Sequence, residues 1–159
     1  MKKQLKLTLL SCLLSIPAIT QAGPKDDIYR KGWIDFNKNG KMDIYEDPSA
    51  PIEERVKDLL SQMNMDEKTC QMATLYGSGR VLADALPTEK WKSEIWKDGI
   101  GNIDEEHNGL GKFGSEYAFP YAKHVKAIHD IQRWFVEETR LGIPVDFTNE
   151  GIRGVDRKS

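Results

Sequence analysis

The run DFNKNGKMDIYE, residues 35–46, carries an oxygen-bearing side chain at nearly every second position. It satisfies the calcium-loop template D-x-[DN]-x-[DN]-G-x5-E at every specified position. Asp35, Asn37 and Asn39 supply side-chain oxygens, Gly40 permits a sharp turn, and Lys41 offers its backbone carbonyl. Asp43 acts directly or through water, and Glu46 is placed for bidentate ligation. A hard cation needs many oxygens converging from one short loop, so the spacing predicts a structural Ca²⁺ site. The alternative is an Asn/Gly-rich turn without metal. The second residue of interest is Glu150, in LGIPVDFTNEGIRGV, three residues past Phe147. It is a carboxylate delivered by an apolar strand into a Gly-spaced loop.

Other patterns are weaker. Gly109, Gly111 and Gly114 spell G-x-G-x-x-G, but they follow the polar DEEHN instead of a strand, and Pro120 stands where a helix should continue. The dinucleotide reading needs strand–turn–helix context, so this is read as a glycine-rich loop. His124 and His129 are five apart on one helix, point to different faces, and make a poor metal pair. Asp104, Glu105, Glu106 and His107 read as a solvated loop. Cys70 lies in a helical apolar pattern and reads as a small buried hydrophobe.

The elements that must position these residues follow from composition and periodicity. The 159 residues fit one modest domain, and a hydrophobic fraction of 39% supplies a core. A net charge of −2, from 23 basic and 25 acidic residues, gives no electrostatic ground for a nucleic-acid or anionic-membrane partner. Lys2, Lys3 and Lys6, the apolar residues 7–16 and the small-residue site Thr20-Gln21-Ala22 form a secretory signal, too short to span a membrane. The expected division is a signal peptide at 1–22, an N-terminal segment with the EF-hand-like loop at 23–48, and a catalytic-domain portion at 49–159. The expected location is periplasmic or secreted, with no membrane association after cleavage.

Residues 23–34 read as irregular. Ile52, Val56, Leu59, Leu60 and Met63 lie at helical spacing. Asn64 and Glu67 make a capping box that opens a second helix. Residues 77–87 read as a loop, and Thr88 as the cap of a short helix carrying Trp91 and Ile95. Residues 99–103 are a short strand. The long helix of YAKHVKAIHDIQRWFVEETR has Tyr121, Val125, Ile128, Ile131 or Gln132, and Phe135 on its period, leaving room for only one of the adjacent Trp134 and Phe135 in the core. Gly142 caps its end. IPVDF is the next strand. Strand, helix and strand make a crossover with parallel strands, hence α/β.

The segments APIEERVKDLLSQMNMDEKTCQM, DGIGNI and VEETRLGIPVDFTNEGIRGV resemble the opening of secreted bacterial glycoside hydrolases of family 3. Arg55, Val56, Leu59, Leu60, Met63, Glu67, Lys68, Gln71 and Met72 match the family's first helical element, and residues 140–144 match its helix-to-strand junction. The resemblance implies a TIM-like (β/α) barrel with its site at the C-terminal strand ends. It also implies β-glucosidase or β-xylosidase activity on a β-linked oligosaccharide or glycoside, and a substrate-binding role for Glu150. The sequence has Glu where many β-glucosidases have Asp, and Arg153 where they commonly have His. Retaining hydrolysis needs a nucleophile and an acid/base, which the family draws from later strands. The chain is therefore expected to be an incomplete N-terminal portion of the barrel, with no catalytic residue of its own and inactive alone. The rival reading is a small calcium-stabilised carbohydrate-binding or accessory module.

Overall fold

The computed structural model describes residues 28–77, 84–93, 95–106, 117 and 119–149. The signal peptide, His107, the glycine-rich loop at 109–114 and Glu150 lie outside them. The described chain is mixed α/β. A hairpin of β1 (Tyr29–Arg30) and β2 (Trp33–Ile34) comes first, where an irregular segment was expected. Gly32 turns it with φ +88°, a conformation that suits glycine. Residues 35–43 then lead into a 3₁₀ turn at Ile44–Glu46, followed by α1 (Ile52–Gln62) and α2 (Met65–Gln71).

Strands β3 (Thr74–Tyr76), β4 (Asn102–Asp104) and β5 (Asp146–Thr148) form a parallel sheet in the order β3-β4-β5. Between β3 and β4 lie 3₁₀ segments at Glu89–Ser93 and Ile95–Asp98, in place of one capped helix; the Thr88 hydroxyl donates to Asp84 instead. Between β4 and β5 runs α3 (Tyr121–Glu138). The strands thus lie side by side in chain order, joined by long connections; no closed barrel is present among the described residues.

The core lies between one face of the sheet and α3. Trp91, Ile100, Ile103, Ile131, Trp134, Phe135 and Val145 form it, with Leu75 and Phe147 packed against them. Both Trp134 and Phe135 are buried, contrary to the expectation that only one would be. The helix is covered on two sides, by the sheet and by the Glu89–Ser93 segment, whose Trp91 meets Trp134 edge-on at 5.5 Å. That widens the buried arc beyond a single stripe. Tyr121 and Val125 are exposed, because the core takes only the C-terminal part of the helix, from Ala127 onward.

Two glycines are fixed by close packing. A Cβ on Gly101 would lie 2.2 Å from the Gln71 carbonyl oxygen, where the end of α2 meets the entry to β4. Gly142 has φ +57°, and a Cβ there would lie 2.7 Å from the Phe36 carbonyl oxygen. Gly142 comes after Thr139, which closes α3, so its role is less a cap than a seat for the 35–46 loop.

Candidate functional site

The side of the sheet turned away from the core is polar. Strand alternation puts Ile103 into the core and its neighbours Asn102 and Asp104 on the other face. Parallel sheets usually bury both faces behind apolar side chains, so a hydrogen-bonded polar face marks a place with a use. The Thr148 hydroxyl donates to Asp104 Oδ1 at 2.7 Å and lies 3.2 Å from Asn102 Oδ1. At the C-terminal strand edge the Glu105 N–H donates to the Thr148 carbonyl at 2.9 Å, and the Gly77 N–H to the Asp104 carbonyl at 2.8 Å. The Tyr76 hydroxyl donates to the Glu105 carboxylate.

Glu105 and Glu106 are buried, not solvated as expected. Glu105 also has φ +54°, a left-handed conformation uncommon outside glycine, Asn and Asp. Such backbone clusters at sites where the surrounding structure over-determines it. Sequence reasoning missed both acids because three consecutive acidic residues look like a solvated run. The signal that would have found them is strand register: Asp104 pairs with Tyr76 and Thr148, which pulls the next residues under the ends of their neighbours. Glu150 follows Asn149 in sequence and lies outside the described residues.

A second set of contacts ties the sheet to the N-terminal elements. Asn64 and Glu67 form the expected reciprocal cap: the Glu67 N–H donates to Asn64 Oδ1 at 2.8 Å, and the Asn64 N–H to Glu67 Oε2 at 2.9 Å. Arg140 then clamps the same carboxylate, Nε to Oε1 at 2.8 Å and Nη2 to Oε2 at 2.5 Å, and donates to the Gln62 carbonyl at 2.9 Å. Burial alone would push Glu67 up; the Arg140 fork and the Asn64 N–H outweigh it and hold the carboxyl below the ordinary carboxylate value. The two stretches that carry the family resemblance are thus in direct contact.

The 35–46 loop sits on the far end of α3. Lys38, with φ +60°, sends its ammonium to the carbonyls of Phe36, Val136 and Thr139 at 2.6, 3.0 and 2.7 Å. The residue is exposed overall, yet desolvation of its ammonium pulls its pKa below the usual lysine value. A cation at a helix C-terminus meets the carbonyls that lack intrahelical partners. Phe36 stacks on Tyr45, whose hydroxyl donates to the Leu141 carbonyl at 3.3 Å. Within the loop, Asn39 and Gly40 donate their N–H groups to Asp35, and Asn37 and Asp43 donate theirs to Glu46. Lys38 was passed over in sequence because it occupies an unspecified position of the template.

The remaining residues singled out are not brought together. His124 Nδ1 lies 3.2 Å from the Tyr117 carbonyl oxygen, while His129 is mostly exposed beside Asp130. Cys70 is half-buried, and desolvation pushes its thiol up, away from nucleophilic character. Among the described residues no three His, Cys, Asp or Glu side chains are grouped as a metal cluster. No described helix is long and apolar enough to cross a membrane.

No family model matches the chain. A curated protein does. The chain is 33% identical over 115 residues to a protein named "Putative beta-xylosidase" from Formosa agariphila, a match covering 70% of this chain and 14% of that protein. The likeness supports a glycoside-hydrolase-like relationship, and the matched region is a small part of the relative.

Proposed function

We propose that this chain forms the N-terminal wall of a retaining β-glycosidase of the family 3 type, acting on terminal β-linked glucose or xylose. The observation that carries this reading is the parallel β3-β4-β5 sheet with its polar, hydrogen-bonded face and buried acids at the C-terminal strand edge. Ligands of barrels and open α/β sheets bind at that edge. The likeness to the Formosa agariphila protein supports the same class of chemistry. Glu150, next after Asn149, is the substrate-binding acid: an ionised carboxylate accepts from two vicinal sugar hydroxyls and so fixes ring orientation. The wall holds the terminal sugar, and the nucleophile and acid/base belong to later strands of a barrel, about 5–5.5 Å apart.

The accessory-module reading is less favoured. β3 and β5 each have one strand neighbour among the described residues, and no residue of α1 is buried. Both features suit a wall more than a finished module.

Grafting this chain in place of the matched segment of the Formosa agariphila protein tests the reading. The expected result is hydrolysis of an aryl β-xyloside or β-glucoside by the chimera and none by the purified chain alone. Hydrolysis by the chain alone, lost on Glu150→Ala, would contradict the division of labour.

A further inference from the structure

We propose that Gln132 of α3 is a positioning residue for the polar strand edge. Its side-chain amide clasps the backbone of Val145 and fixes the register in which β5 presents Thr148 to Asp104. Gln132 Nε2 donates to the Val145 carbonyl at 2.9 Å, and the Val145 N–H donates to Gln132 Oε1 at 2.9 Å. Both backbone groups of one residue thus meet one planar amide. The amide fits in one orientation only, because the opposite one would set donor against donor and acceptor against acceptor.

The clasp takes the place of a neighbouring strand. Asp146 and Thr148 turn backbone groups toward β4: the Asp146 N–H donates to the Gly101 carbonyl at 3.1 Å, and the Thr148 carbonyl accepts from the Glu105 N–H at 2.9 Å. Val145 meets Gln132 instead, and β5 has no second strand neighbour among the described residues. Val145 is only 3% exposed, so its N–H and C=O have little access to water and would be costly to leave unpaired.

Register is what β5 lacks on its own. It pairs with β4 over three residues, Asp146 to Thr148. A slip by one residue exchanges the two faces of a strand. It would carry Phe147 away from the core and Thr148 away from Asp104, to which its hydroxyl now donates at 2.7 Å. Gln132 stands between the buried Ile131 and Trp134, on the part of α3 that the core holds, so its amide is carried by a packed element. The clasp also accounts for a polar side chain on the helical period of Tyr121, Val125 and Ile128. The consequence for sugar binding rests on the reading of this edge given above; the clasp itself does not.

The test is residue-resolved amide hydrogen exchange on the full chain and on Gln132→Met and Gln132→Asn. Met removes both polar groups at similar length, and Asn is one methylene too short to reach. In the native chain the Val145 N–H, which donates to a side chain, is expected to exchange as slowly as that of Asp146. In both variants the protection of Val145 and Glu105 should fall at least about tenfold, with that of Gly77, bonded to the other side of β4, unchanged. Fast exchange at Val145 in the native chain overturns the proposal whether or not the variants fold. So does an equal loss at Val145, Glu105 and Gly77, which would make Gln132 a general contributor to stability, and so does a loss confined to Val145. In the chimera with the Formosa agariphila protein, Gln132→Met should lower kcat/KM at least about tenfold. An unchanged value in an active chimera overturns the positioning role. An inactive unsubstituted chimera overturns the glycosidase reading, and the exchange results still decide the clasp.

Discussion

At the scale of single residues, the clearest test of local energetics is Glu67. Its carboxylate serves two partners, the Asn64 cap and the Arg140 fork. Its folded pKa lies below the unfolded value, so its stabilisation is present above the ordinary carboxylate range and is lost as pH falls through the folded value. Glu67→Gln is expected to lower stability at neutral pH by about 1–3 kcal/mol, since it removes charge-assisted bonds. The gap from wild type should close toward pH 2, as read by urea melts across pH. The cap was legible in sequence because its partners are three residues apart. The Arg140 partnership was not, because the two residues are 73 apart and only the fold joins them. Glu105 and Glu106 were misjudged for a related reason: burial of an acid is decided by what lies over it, and a run of acids carries no sign of that.

At the scale of elements, the loop-to-helix latch is the feature that sequence could not show. Lys38→Ala removes the donor to three carbonyls. Desolvation of the ammonium offsets part of what those bonds contribute, so the expected loss is about 1 kcal/mol. Limited proteolysis should show faster cleavage within 28–46, with α3 unaffected; unchanged cleavage would mean that the Phe36–Tyr45 stack holds the loop by itself. The helices α1 and α3 were visible as periodic runs and α2 through its capping box, while β4 and β5, expected at 99–103 and 143–147, each begin three residues later, at Asn102 and Asp146. The hairpin and β3 were not visible. Each strand there is only two or three residues long, too short for alternation to register, and its pairing partner supplies the information that its own sequence lacks.

At the scale of the whole molecule, α1 and α3 present apolar side chains to solvent. Ile52, Val56 and Leu60 on α1 are 68%, 48% and 47% exposed. A groove of about 270 Å³, lined by residues including Phe36, Val56, Leu59 and Pro144, runs beside them. Periodicity placed these residues at helical spacing, and the described chain leaves them exposed. Ile52→Lys is therefore expected to change the chain's own stability by no more than about 0.5 kcal/mol in chemical denaturation, as for other exposed sites. A larger loss would show that the α1 face is buried within the chain in solution. The parallel architecture was legible from the strand–helix–strand pattern. The polar second face of its sheet emerged only once Asn102, Asp104 and Thr148 were in register.

The central claim is that the C-terminal edge of this sheet binds the terminal sugar of a β-glycoside, with Glu150 as the positioning acid. The most direct measurement is kcat/KM for an aryl β-xyloside in the chimera with the Formosa agariphila protein, comparing Glu150 with Glu150→Ala and Glu150→Asp. Loss of a carboxylate that grips sugar hydroxyls should lower kcat/KM by at least about 100-fold, or roughly 2.7 kcal/mol of transition-state stabilisation. Glu150→Asp should retain a measurable part of it. Equal kcat/KM in Glu150 and Glu150→Ala, in a chimera that turns over the substrate, would contradict the account.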